Sequence, residues 1–117
     1  MRPEDPDAAY LWDMLEAAKQ VASFAAGRSL EEYRASALLR SAIERQLEII
    51  GEGARRISQA FQSAHPEIPW RAIVGQRNIL AHDYGEIDDA RVWGVAAEDI
   101  PRLIAQLEPL IPALPPD

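Results

Sequence analysis

Apolar side chains recur every three or four positions over most of this chain, and that spacing constrains its fold more than any other feature. The longest stripe starts after Tyr33 and contains Ala37, Leu38, Ile43, Leu47, Ile50, Ala54 and Ile57. Such spacing places side chains on one face of an α-helix. No stretch shows the alternation that is typical of a strand. We therefore predict an all-α protein, an antiparallel bundle of the four-helix type.

Capping residues divide the N-terminal half into two helices. The first is predicted to start at Asp5 or Asp7 and to stop at Gly27. The second follows the capping-box pattern of residues 29–32 and runs to about residue 61, with or without a short leading turn. Two glycines inside this second helix, at positions 51 and 53, indicate a close approach by another helix or else a kink.

Prolines organise the C-terminal half. Pro69 is predicted to open a third helix, which ends near Gly85. Asp88 is a good N-cap for a fourth helix, and Pro101 must kink or divide that helix. The tail from about residue 109 contains too many prolines to extend the bundle, and we expect it to fray.

Length and composition favour one helical domain over residues 1–117, with 48% hydrophobic residues to fill its core. The chain has no cysteine, and its two histidines, His65 and His82, are far apart in sequence. We therefore expect no metal site and no cofactor. The N-terminus lacks an apolar signal region, and no uninterrupted apolar stretch approaches the roughly 20 residues that span a bilayer. We expect a cytoplasmic protein without a membrane partner.

Residues 77–84 read Arg-Asn-Ile-Leu-Ala-His-Asp-Tyr and concentrate the chemically active side chains of the chain. Arg77 stays cationic and can hold a phosphate through two hydrogen bonds, while His82 titrates near neutral pH. Tyr84 adds a hydroxyl group that can donate and accept hydrogen bonds. This combination indicates phosphate chemistry.

Helix geometry limits how these side chains can meet. On an ideal helix Arg77 and Tyr84 nearly coincide, whereas His82 lies roughly 140° from Arg77 around the axis. Either the helix ends near His82, or two copies of the motif meet across a two-fold dimer and the arginine of one subunit complements the histidine of the other. The second alternative places the active cleft at or near the dimer interface.

The net charge of −7 is unusual for a nucleic-acid-binding protein. The middle of the chain is different, because residues 34–77 carry seven arginines and four acidic residues. This segment leaves room for a basic patch. The alternative is that most of these arginines simply pair with glutamates three or four positions away on the same helix.

A series of ordered motifs resembles the HepT-like family of HEPN domains over about residues 8–111. The motifs are Glu48 to Arg56 (EIIGEGARR), His65 to Arg71 (HPEIPWR), Arg77 to Tyr84 (RNILAHDY), Ile87-Asp88, Val92-Trp93 and Asp99 to Pro101. A bare Arg-x4-His pair would be a weak signal. The Arg-x4-His-x-Tyr motif in this ordered set is a strong one.

This resemblance implies a homodimeric helical bundle that acts as a metal-independent endoribonuclease toxin. Its implied partner is a minimal nucleotidyltransferase antitoxin. By position in the motif, Arg77 and His82 are the catalytic pair and Tyr84 is the residue to which the antitoxin attaches AMP. RNA supplies its own 2′-hydroxyl nucleophile, so a proton-transferring histidine and a phosphate-binding arginine are sufficient for cleavage that leaves a 2′,3′-cyclic phosphate.

Two neighbours of the catalytic pair have supporting interpretations. Asn78 could contact the substrate or brace Arg77, or it could bond only to nearby backbone. Asp83 could orient His82 or simply face solvent. Two other functional classes also stay open: a catalytically silent HEPN subunit that binds the nucleotidyltransferase or a nucleotide, and a purely structural dimerisation bundle.

Overall fold

The computed structural model describes residues 5–75 and 88–111, and the backbone in these ranges is helical without a strand. The helices are α1 (Pro6–Ala25), α2 (Leu30–Ala35), α3 (Ala37–Arg56), α4 (Gln59–Ala64), α5 (residues 70–75), α6 (Asp89–Gly94) and α7 (Ile100–Leu107). A π-helical stretch, Val95–Asp99, joins α6 to α7, and a 3-10 turn, Glu108–Leu110, follows α7. The prediction of an all-α bundle is confirmed.

The predicted boundaries of the first helix are confirmed in atomic detail. The Asp5 carboxylate accepts the backbone N–H of Asp7 at 3.1 Å and caps α1. Gly27, two residues after the end of α1, has φ +72°, a left-handed conformation that glycine adopts without steric cost. The capping box that starts α2 is complete, because Ser29 and Glu32 each accept the other's backbone N–H.

The second helix follows a short leading helix, which is one of the two alternatives predicted, but the prediction that it reaches residue 61 is wrong. The chain breaks at Ser36 and again at Ser58, so that α2, α3 and α4 replace the one helix, and the stripe from Ala37 to Ala54 lies on α3. Each serine hydroxyl caps the helix that follows, accepting from the N–H of Leu39 at 3.0 Å and of Phe61 at 3.2 Å. Ser58 is held further by the carboxylate of Asp7, which accepts its N–H at 2.8 Å and its hydroxyl at 2.6 Å. The apolar spacing continues across both breaks and therefore conceals them.

The core lies where α1 packs against α3 and α7. Each of these helices buries one apolar stripe. On α3 the predicted stripe is confirmed from Ile43 onward, but its first members, Ala37 and Leu38, are exposed, Leu38 by 82%, because Leu39 stands four residues before Ile43 and takes the buried position. The largest fully buried members are Leu11, Met14 and Val21 of α1, Ile43 of α3 and Leu107 of α7. The two longest helices, α1 and α3, therefore make most of the contacts in the bundle, and α7 covers one side of this pair.

Gly53 is required where α3 crosses α1. A Cβ atom at this position would lie 2.7 Å from Cγ of Met14, which is fully buried in α1. α3 runs as an α-helix through both Gly51 and Gly53. The close approach predicted for this pair of glycines is confirmed at Gly53.

Pro101 divides the last helix, as predicted. Proline has no N–H to give to the carbonyl four residues earlier, and its ring clashes with that carbonyl. The chain accommodates it with the π-helical stretch, in which the N–H of Ile100 reaches the carbonyl of Val95 five residues back. Pro101 then occupies the first turn of α7, where no intrahelical N–H is needed.

Candidate functional site

The residues predicted to form the site, Arg77, Asn78, His82, Asp83 and Tyr84, all lie outside the described residues. The structure describes the two elements between which they fall in the chain. These are α5, described to residue 75, and α6, which begins at Asp89.

The upstream flank is anchored by Trp70 at the start of α5. This side chain is 6% exposed, and its indole N–H donates to the carbonyl of His65 at 2.9 Å. Its ring meets Phe61 edge-on, with 6.1 Å between the centroids. His65 itself is the C-cap of α4, with Nδ1 3.3 Å from the carboxylate of Glu67. Trp70 is therefore an anchor in the core, and His65 ends α4 beside it.

The downstream flank is fixed at the start of α6. The carboxylate of Asp88 accepts the backbone N–H of Arg91 at 3.2 Å, which confirms the predicted N-cap. One turn later Trp93 packs against Tyr33 of α2, with ring centroids 5.4 Å apart and planes tilted by 38°. Both ends of the motif segment are therefore attached to helices that pack on the core.

These two flanking helices line one groove with a volume of about 520 Å³. Leu47 and Ile50 of α3 contribute apolar surface to it. Charged side chains on the α6–α7 side include Arg91, Glu98 and Arg102. The chain enters and leaves the motif segment beside this groove, which we call the α5–α6 groove.

A second, more polar pocket of about 450 Å³ lies between α1 and α3. Tyr10 and Asp13 line it from α1, and Arg45, Glu48, Glu52 and Arg56 line it from α3. Glu52 accepts hydrogen bonds from two arginines, Arg55 at 2.8 Å and Arg56 at 2.7 Å. Gly53 lets α1 and α3 approach closely enough to bring these two sets of side chains together.

The two arginines dominate the electrostatics of Glu52. Their hydrogen bonds lower the pKa of the Glu52 carboxyl from its ordinary value of 4.5 to about 2. In return, Glu52 and the hydroxyl of Tyr10 raise the pKa of Arg56. Part of the arginine surplus of α3 is thus neutralised within the helix, which favours local pairing over a broad basic patch.

In residues 5–75 and 88–111 no three histidine, cysteine, aspartate or glutamate side chains are grouped so as to hold a metal ion. None of the helices in those ranges combines the length and the apolar character that crossing a bilayer requires.

The α1–α3 pocket was not predicted from the sequence. The spacing of arginines and glutamates on α3 predicts ion pairs along one helix, whereas Tyr10 and Asp13 come from another helix. The available signal was Gly53, because a glycine that permits close helix packing also predicts which residues of the second helix lie nearby.

The fold and the flanks together define a class: an all-α bundle whose sequence carries an Arg-x4-His-x-Tyr motif between two core-anchored helices. Comparison with known families gives the same class a name. The family described as "Ribonuclease HepT-like" matches residues 14–110, which is most of the chain and includes the whole motif. The chain belongs to this HepT-like family.

Individual relatives agree with the family assignment. A protein of Methanocaldococcus jannaschii named as a candidate RNase is 39% identical over 100 residues, which are 86% of this chain and 92% of that protein. A protein of Thermococcus cleftensis named "Probable ribonuclease HepT" is 37% identical over 101 residues, with 86% and 92% covered. A candidate RNase of Caldanaerobacter subterraneus is 29% identical over 102 residues, with 87% and 91% covered. No solved structure matches the chain.

Proposed function

We propose that this protein is a metal-independent endoribonuclease, the toxin of a toxin–antitoxin pair, acting in the cytoplasm as one helical domain. The observation that carries the proposal is the family match across residues 14–110, because it spans the Arg-x4-His-x-Tyr motif and both helices beside it. The relatives named as ribonucleases align over nearly their whole length, which supports the same activity for this chain.

In the proposed reaction the 2′-hydroxyl of RNA attacks the adjacent phosphorus atom. His82 either takes the proton from that hydroxyl or gives one to the leaving 5′-oxygen, and solvent water completes the other of these two proton transfers. Arg77 binds two non-bridging phosphate oxygens and stabilises the charge that develops on the phosphorane. Asn78 braces Arg77, and Asp83 orients the imidazole of His82. The products are a 2′,3′-cyclic phosphate and a 5′-hydroxyl.

A homodimer is part of the proposal. Arg77 and His82 diverge by roughly 140° on a straight helix, so a two-fold arrangement would let the arginine of one subunit work with the histidine of the other. Mixing Arg77→Ala subunits with His82→Ala subunits tests this. Mixed dimers that contain one intact composite site should recover part of the activity that each variant alone has lost.

Silencing by a nucleotidyltransferase antitoxin completes the proposal. AMP attached to the hydroxyl of Tyr84 would place a bulky anion two residues from His82, in the position that the RNA phosphate must occupy. A Tyr84→Phe variant should retain cleavage and escape silencing. Mass spectrometry before and after incubation with the antitoxin and ATP would show whether AMP is added to the native protein and not to the Tyr84→Phe variant.

The product ends provide the direct test of the chemistry. RNA is incubated with the purified protein in EDTA, the cleavage site is mapped, and an oligonucleotide with a single 2′-deoxy substitution at that site is compared with the all-ribose oligonucleotide. We expect cyclic-phosphate ends from the ribose substrate and no cleavage of the substituted one. A 2′,3′-diol as the only product, or cleavage that stops in EDTA, would refute the mechanism.

One observation favours a second candidate, the catalytically silent subunit that binds a nucleotidyltransferase or nucleotide. The net charge is −7, and on α3 both Arg55 and Arg56 are engaged by Glu52. If the protein is a ribonuclease, it must therefore recognise RNA through contacts within the cleft. We expect RNA binding with a shallow salt dependence, equivalent to only about two or three phosphate contacts. A nucleotide-binding subunit would instead bind ATP or AMP and leave RNA intact under all of these conditions.

A further inference from the structure

Tyr33 of α2 has a buried hydroxyl group that the proposed reaction does not use. The side chain is 0% exposed, and among the described residues its hydroxyl is the one buried side-chain polar atom without a hydrogen-bond partner. A buried hydroxyl without a hydrogen-bond partner is unfavourable, so it requires an explanation. A phenylalanine would fill the same space against Trp93 without this cost.

Charged side chains of two neighbouring helices act on this hydroxyl. Glu44 of α3 and Asp89 of α6, both partly buried, are the charged groups whose fields act most strongly on the phenol, and Arg40 of α3 opposes them. Burial and these two carboxylates raise the pKa of Tyr33, so the phenol keeps its proton and serves as a donor. Burial, followed by Asp89, likewise raises the pKa of Glu44.

The rest of α2 is fixed independently of this hydroxyl. Arg40 extends back to the end of α2, where its guanidinium lies 3.5 Å from the carbonyl of Tyr33 and donates to the carbonyl of Arg34. The tilted contact with Trp93 holds the phenol ring against α6. The hydroxyl is therefore held on a rigid support, and the two helices that carry Glu44 and Asp89 both pack against α2.

We propose that the Tyr33 hydroxyl and the carboxylates of Glu44 and Asp89 bind one ordered water molecule, and that this node positions the first turn of α6. Three polar groups are the usual coordination of a buried water. The water would accept a hydrogen bond from the phenol O–H and donate one hydrogen bond to each carboxylate, which satisfies all three groups and separates the two negative charges.

The functional consequence, which rests on the proposed ribonuclease activity, comes from the position of Asp89 in the chain. This residue lies five positions after Tyr84, and Asp88 beside it caps α6. A node that fixes this turn to α2 and α3 fixes the downstream end of the motif segment. Tyr33 is then a positioning residue for Arg77 and His82, without contact with RNA.

A double-mutant cycle of Tyr33→Phe and Asp89→Asn tests the node through protein stability alone. If the node exists, Tyr33→Phe should raise the equilibrium constant for unfolding by up to about tenfold, and the two substitutions together should cost less than the sum of their separate effects. If the hydroxyl is truly unsatisfied, Tyr33→Phe should lower that constant, and the cycle should be additive. This second result would overturn the proposal.

Two further measurements keep the test decisive. A high-resolution crystal structure of the native protein should show a water within hydrogen-bonding distance of all three groups, and an empty or apolar contact there would refute the node whether or not the variants fold.

In RNA cleavage by fully folded protein, Tyr33→Phe should lower kcat several-fold with little change in KM, whereas Tyr10→Phe on α1 should not. Normal kcat in Tyr33→Phe would remove the positioning role. Because the stability cycle needs no RNA, absence of ribonuclease activity would leave the node itself still testable.

Discussion

The crossing of α1 and α3 at Gly53 gives the sharpest prediction about the fold. In Gly53→Ala the new methyl group would lie 2.7 Å from Cγ of Met14, 3.4 Å from the carbonyl oxygen of Tyr10 and 3.5 Å from Sδ of Met14. The shortest of these distances is more than 0.5 Å inside an ordinary carbon–carbon contact of about 3.5–4.0 Å. Met14 is fully buried and cannot move its side chain into solvent.

Two opposing terms set the size of the effect. Alanine is a better helix former than glycine by about 1 kcal/mol, and forcing a methyl group into a packed interior costs about 1–3 kcal/mol. We therefore expect Gly53→Ala to lower the free energy of unfolding by about 0–2 kcal/mol. Gly94 in α6 is the matched control, because a Cβ there meets nothing within 4 Å and its φ of −58° is helical. Gly94→Ala should raise the free energy of unfolding by up to about 1 kcal/mol.

The assay is urea unfolding followed by far-UV circular dichroism, with all variants compared at one pH and temperature. Making Gly53→Ala in a Met14→Ala protein shows whether the clash with Met14 causes the loss of stability. When Met14→Ala removes the opposing side chain, Gly53→Ala should become neutral or stabilising. If Gly53→Ala stabilises the native chain as much as Gly94→Ala does, the close packing of α1 on α3 at this point is refuted.

Three further predictions follow from the described contacts. Ser58→Ala should lower the free energy of unfolding by about 1–2 kcal/mol, because it removes the cap of α4 and the hydrogen bond to Asp7. Ser63→Ala, at an exposed position of the same helix, is the control and should have little effect in the same urea titration. Ser36→Ala should cost about 1 kcal/mol through the lost cap of α3, and an unchanged midpoint would show that the break between α2 and α3 does not depend on that hydroxyl. The lowered pKa of Glu52 means that its charge stabilises the fold above about pH 4.5 and that this contribution disappears as the pH falls toward 2. Glu52→Gln should therefore flatten the acid limb of a stability–pH curve, and an identical limb in native and variant proteins would contradict the assigned ion pairs.

The sequence predicted those features that depend on local chemistry. Helical spacing predicted the bundle, and residues with a single dominant conformational role predicted the ends: Asp5 and Asp88 as N-caps, Gly27 as a left-handed stop and Pro101 as the division of the last helix. These residues act within one turn of backbone. Their effects can therefore be derived without knowing the tertiary structure.

Two features could not be predicted in the same way. Ser36 and Ser58 looked like ordinary polar positions in a long helix, because serine is tolerated inside a helix and the apolar stripe continues on both sides of each break. The α1–α3 pocket and the Tyr33 environment join residues from different helices, and a periodic pattern gives the face of a helix without the rotation of its neighbour. The catalytic assignments at Arg77, His82 and Tyr84 stay predictions, since those residues lie outside the described ranges.

The most direct test of the central claim compares the two histidines of the chain. Native protein, His82→Ala and His65→Ala are incubated with total RNA in EDTA, with Arg77→Ala and Arg71→Ala as a second matched pair. Mass spectrometry first confirms that Tyr84 carries no AMP. We expect cleavage by the native protein, His65→Ala and Arg71→Ala, and none by His82→Ala or Arg77→Ala. Cleavage that survives in His82→Ala, or intact RNA with the unmodified native protein, would contradict it.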